Sequence, residues 1–113
     1  MPKESEIRKK VVQILENDGW IVWYPPKVRY KKTDIFGIID LLALKGRRQK
    51  NIQLTTVSNL ATRRKKIDNF LTKFEIEMTV EIWAWYAKKK EFKKEKVRFD
   101  LPKKPKKKKP KII

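Results

Sequence analysis

The sequence predicts one α/β domain, a mixed sheet flanked by two helices in the order α-β-β-β-α-β-β. Three observations carry that expectation. Apolar residues recur at helical spacing in two stretches, 2–18 and about 59–74. Five short runs rich in Val, Ile, Trp and Tyr lie between and after them, and such residues suit a pleated, half-buried surface. The second helical stretch stands between the third and fourth of these runs, as a crossover between parallel neighbours requires. A chain of 113 residues fits a single domain.

The first helix spans Pro2 to Asp18, with Ile7, Val11, Ile14 and Leu15 on one face. Glu4 and Glu6 fall in its first turn, where the helix dipole favours acids, and Gly19 ends it. Trp20–Tyr24 is a short strand closed by Pro25 and Pro26, and Lys27–Thr33 follows as an extended or mobile basic segment. Ile38–Leu44 and Asn51–Val57 are the second and third strands, close enough in sequence to form an antiparallel hairpin. Ser58 or Asn59 caps the second helix, which runs to Phe74 on a stripe of Leu60, Ile67, Phe70, Leu71 and Phe74. Met78–Ala87 is the fourth strand and Lys96–Phe99 a weaker fifth. Trp83 and Trp85 share a face of the fourth, where packing under a helix is expected rather than stacking on bases. Tyr30, set among Lys and Arg, is the better stacking candidate.

Composition narrows the chemistry. The sequence has neither Cys nor His, which removes disulfide scaffolds, thiolate zinc sites, imidazole catalysis and Ser-His-Asp triads. Any hydrolysis would run on carboxylates, lysines and a hard metal. With 31 Lys and Arg against 13 Asp and Glu, the formal charge is +18. Residues 102–113 form a Lys/Pro-rich basic tail, expected to be disordered because its prolines and like charges oppose a helix. Its seven lysines leave 18 − 7 = +11 on residues 1–101. A surface of that sign fits a polyanion, and nucleic acid is the commonest. No apolar run approaches a membrane span and no signal-type leader follows Met1, so a cytoplasmic location is expected, with nucleoid association compatible with it.

Asp40 is the most informative residue. It interrupts Ile38, Ile39, Leu41 and Leu42, and an acid in a buried strand needs a partner, a metal or a raised pKa. Gln53 and Thr55, two residues apart on the next strand, emerge on one face. Beside Asp40 they would make an oxygen-rich cluster able to hold Mg²⁺ with the help of waters. The other reading is a strand-end acid paired with a lysine.

The stretch from the first helix through Lys66 resembles the PD-(D/E)xK nuclease superfamily, with archaeal Holliday-junction resolvases and small phage or archaeal nuclease-like proteins as its nearest forms. The resemblance rests on Asp18-Gly19-Trp20 at the end of the first helix, on Asp40-Leu41-Leu42-Ala43, and on Ile52-Gln53-Leu54-Thr55, with 12 residues between Asp40 and Gln53. It implies a restriction-endonuclease-like core over residues 1–101. Asp40 matches the family's metal-binding acid. Gln53 stands where the family has Asp or Glu, Thr55 where it has Lys, and Arg8 where some members carry a glutamate. Asp34 is a candidate substitute ligand, and Lys45, Lys65 or Lys66 a candidate for the displaced lysine.

The expected function is therefore DNA binding and processing, by metal-dependent phosphodiester hydrolysis of branched or single-strand-containing DNA. Asp40, Gln53, Thr55 and Asp34 would form the catalytic site, and Asp40, Gln53 and Asp34 would hold Mg²⁺ or Mn²⁺. Lys27, Arg29, Tyr30, Lys31 and Lys32 would bind nucleic acid on one side, with Arg63, Arg64, Lys65 and Lys66 on the other. The alternatives are a catalytically degenerate DNA-binding module on the same fold and a small basic RNA-binding protein. The resemblance also implies a homodimer, for which the Trp-rich strand is a candidate interface.

Overall fold

The structure, a computed structural model, describes residues 4–24 and 35–102. Helix α1 (Glu4–Asn17) leads to strand β1 (Ile21–Trp23), followed by β2 (Leu41–Lys45) and β3 (Arg48–Thr56). A 3₁₀ turn at Val57–Asn59 opens into α2 (Leu60–Phe74), and β4 (Met78–Tyr86) and β5 (Glu91–Phe99) complete the chain. The five strands lie side by side in sequence order. All neighbours are antiparallel except β3 and β4, which run parallel because α2 carries the chain back across the sheet. The α/β class, the element order and the mixed sheet are those the sequence predicts.

The pleat divides the core into two layers. Ile52 and Leu54 of β3 and Trp83 of β4 face α1, where they meet Val11, Leu15 and Trp20. Val80, Ile82 and Ala84 of β4 face α2 and pack on Leu60, Ile67 and Leu71. Alternate residues along β4 thus serve opposite helices, as a two-residue period requires. Trp83 and Trp85 are buried, as expected of their packing. Phe74, placed by the sequence on the buried stripe of α2, is 55% exposed and rests on the Phe70 ring at 4.9 Å.

Three boundaries differ from expectation. The second strand begins at Leu41, not Ile38. Phe36 and Gly37 both take positive φ (55° and 73°), folding residues 35–39 into a turn closed by Ile35–Ile39 backbone hydrogen bonds of 2.8 and 3.1 Å. Ile38 and Ile39 are buried from that turn against the α2 side, and a buried turn has the same apolar composition as a strand. The hairpin is tighter than expected, because Lys45 pairs with Arg48 across Gly46-Arg47 and β3 starts three residues earlier. Strand β5 has nine residues where the sequence suggested four. It is an edge strand, and the charges that discourage edge-to-edge pairing also hide it from an apolar pattern. Strand β4 is paired on both sides, so the Trp-rich strand offers no free edge to a second copy.

Candidate functional site

The turn at 35–39 sets the geometry around Asp40. The Asp40 N–H donates to the Ile52 carbonyl at 2.7 Å, the first rung before the Leu41–Ile52 pair. From this point the chain peels away from β3, leaving the next β3 donor without a strand partner on that side. The Asp40 carboxylate fills the place: its Oδ2 accepts from the Leu54 N–H at 2.8 Å and from Gln53 Nε2 at 2.7 Å. Asp40 is thus a half-buried acid at the mouth of β2 rather than a residue within a buried strand.

Asp40 and Gln53 meet as the sequence predicts, but through a donor. The Gln53 side chain is 1% exposed, and its Oε1 is buried without a hydrogen-bond partner. Thr55 follows on the same face, buried at 8% exposure, with no hydrogen bond to Asp40 or Gln53. No Lys or Arg among the described residues forms an ion pair with Asp40. The described residues contain no group of three or more acids that could hold a metal. In this arrangement Gln53 turns its amide nitrogen, not its carbonyl oxygen, toward Asp40. Asp34 lies outside the described residues, as do Lys27, Arg29, Tyr30, Lys31 and Lys32.

The four bases 63–66 do not act as one cluster, because successive helical residues point about 100° apart. Arg64 turns to β5 and grips Glu95 in a two-pronged ion pair, Nε–Oε1 at 2.8 Å and Nη2–Oε2 at 2.9 Å. The hydrogen bond and charge of Arg64 hold the Glu95 carboxyl below its ordinary value, and Glu95 raises the guanidinium in return. Lys65 is exposed. Lys66 bends over the turn, its ammonium 3.6 Å from where a Cβ on Gly37 would stand. The Phe36 and Phe70 rings, 5.6 Å apart, hold the same turn to α2. Arg63 lies one helical turn before Lys66 on that flank. Of the lysines considered as replacements, Lys45 is occupied elsewhere, bonded to the Asp18 carbonyl and lying over the Trp20 ring.

A second buried acid escaped the sequence reading. Glu81, 8% exposed on the α1 face of β4, accepts from Lys50 Nζ and from Trp83 Nε1, each at 2.8 Å. Burial pushes its carboxyl up, but those hydrogen bonds and the charges of Lys50 and Lys96 prevail and hold it below the ordinary value. The available signal was the one that singled out Asp40, an acid inside an apolar run.

No protein-family model matches the chain, and neither a curated protein nor a solved structure shows significant similarity to it. No described helix is long and apolar enough to cross a membrane.

Proposed function

We propose that the chain binds nucleic acid, DNA in the first instance, on a PD-(D/E)xK nuclease-like core whose acid site maintains structure instead of cutting. The Asp40–Gln53 pair carries this reading. At the position where the resembled nucleases set two acids around a metal, an amide N–H meets the carboxylate at 2.7 Å. A carboxylate oxygen that already accepts two charge-assisted hydrogen bonds has its charge taken up by the protein. Thr55 brings no ammonium to stabilise a developing negative charge. The basic surroundings remain useful to a binder. Lys66 and Arg63 border the turn before Asp40, and Lys27, Arg29, Lys31 and Lys32 precede that turn in the sequence. Such side chains grip phosphates and position a duplex without reading its bases. Branched or single-strand-containing DNA is the substrate class the resemblance implies.

A second reading, a Mg²⁺- or Mn²⁺-dependent endonuclease, is favoured by the Lys66 ammonium against Gly37, three residues before Asp40. One experiment separates the two. Wild type and Asp40→Ala are incubated with linear, flapped and four-way DNA in Mg²⁺, Mn²⁺ or EDTA. Binding that is independent of metal, with no product on any substrate, is the expected result. Metal-dependent cutting that Asp40→Ala abolishes would overturn the proposal and establish the enzyme.

A further inference from the structure

The sheet face opposite the Asp40 turn is only partly covered. Helix α1 packs mainly over β1 and β3, and only one edge of it, Lys10 to Leu15, reaches over β4. Three adjoining cavities of about 570, 530 and 370 Å³ lie on that face. They share Trp20, Lys50, Glu81 and Lys96 at one junction and Trp83 and Lys94 at the other, and so form one groove. The groove follows β4 from Thr79 to Trp85, six residue steps and about 20 Å at strand rise.

Its floor is aromatic, with Trp83 and Trp85 buried at 2% and 9% exposure beneath the side chains above them, and ammonium groups are among those covers. Lys94 Nζ sits 4.1 Å above the Trp83 ring and Lys10 Nζ 5.3 Å above Trp85. Arg48 and Lys50 each lie 5.2 Å from the Trp20 ring. Phe92 closes the far end, 5.0 Å from Trp85. Glu81 holds the Trp83 indole by its Nε1 and so fixes the plane of that ring. Lys94 and Lys96 form no ion pair among the described residues and are exposed, so Lys94 is free to leave the Trp83 ring.

We infer that this groove is a binding track for single-stranded nucleic acid, in which bases replace the ammonium groups over Trp83 and Trp85 while Lys94, Lys96 and Lys10 turn to the phosphates. The charge complementarity is local: six basic side chains line the groove, and of its four acids Asp18, Glu81 and Glu95 are paired with Lys45, Lys50 and Arg64. The exchange is favourable in kind, because a base stacked on an indole is worth more than an exposed cation over the same ring. The lysines lose nothing, since each finds a phosphate. A duplex, whose bases are already stacked, cannot use the floor. The track lies on the opposite side of the sheet from Asp40 and Lys66, and stands whether or not that site binds or cuts DNA.

The test uses the full chain carrying Trp23→Phe, which removes the exposed indole of β1. Oligothymidylate of about a dozen bases is titrated while tryptophan fluorescence is followed. Quenching by the oligonucleotide is expected, with none from a duplex of equal length or from inorganic polyphosphate. Lys94→Glu is expected to weaken the quenching titration about tenfold at low salt, whereas Lys73→Glu, the same charge change on α2, leaves it in place. Equal quenching by duplex or polyphosphate would overturn the inference, as would a Lys94→Glu titration that matches wild type. The four-way DNA shift is a separate readout, so failure of either proposal leaves the other visible.

Discussion

Gln53 donates its amide to the Asp40 carboxylate at 2.7 Å while its own carbonyl oxygen stays buried without a partner. The pair is satisfied on one side and costly on the other, because a buried acceptor gives up water for nothing. Substituting Gln53→Glu removes the donor and sets two carboxylates together. In EDTA, urea denaturation should report a loss of about 1.5–3 kcal/mol, the range for a hydrogen bond to a charged group. Added Mg²⁺ should then raise the Tm of Gln53→Glu while leaving that of wild type where it was. A Tm of the variant indifferent to Mg²⁺ would mean that the pair is not the remnant of a metal site.

Asp40 also anchors backbone. Asp40→Ala strands both the Leu54 N–H and the Gln53 amide, and is expected to cost about 3 kcal/mol in chemical denaturation. Asp40→Asn retains a carbonyl oxygen for the same donors and should recover more than half of that loss. Equal losses in the two variants would remove the capping role assigned to the carboxylate.

Glu81 predicts a pH dependence. Its folded carboxyl lies below the ordinary value of 4.5, because the hydrogen bonds and charges around it prevail over burial. The unfolded chain therefore takes up the proton first. The stabilisation is complete above the ordinary carboxylate range and disappears as pH falls through the lower folded value. Glu95, held down by Arg64, acts in the same direction. Urea midpoints measured from pH 6 downward should fall less steeply for Glu81→Gln than for wild type, with a remaining slope from Glu95. Parallel profiles would show that Glu81 does not contribute.

The two flanks of α2 should separate in DNA binding. Lys66→Ala is expected to lower the slope of log affinity against log salt by about one unit, as the loss of one phosphate contact does. Arg64→Ala should leave the slope near wild type, because its guanidinium is committed to Glu95. Reversed results would place the DNA over β5 instead of over the 35–39 turn. Removing residues 103–113 should reduce the slope further if the tail grips phosphates, at about 0.9 per contact on duplex DNA.

Local pattern alone made much of this protein legible. The helical spacing of Ile7, Val11 and Leu15, the crossover implied by α2, and the shared face of Trp83 and Trp85 each follow from a period of 3.6 or 2. The hairpin was legible in the sequence, but it is the observed register, with a tighter turn than expected, that sets Asp40 beside Gln53. The net charge and the absence of His and Cys are properties of composition and needed no fold.

What depended on tertiary structure is where side chains are spent. An apolar run does not reveal that Ile38 and Ile39 belong to a turn, because burial against α2 came from the positive φ of Phe36 and Gly37. Four adjacent bases read as one cluster until helical rotation sends Arg64 to Glu95 and Lys66 to Gly37. Glu81, Lys50 and Trp83 are separated along the chain and become one network only when β3 and β4 lie side by side. Sequence determines which groups exist and the period at which they recur. Only the three-dimensional packing determines which of them are already paired, because pairing depends on contacts between residues far apart in the chain.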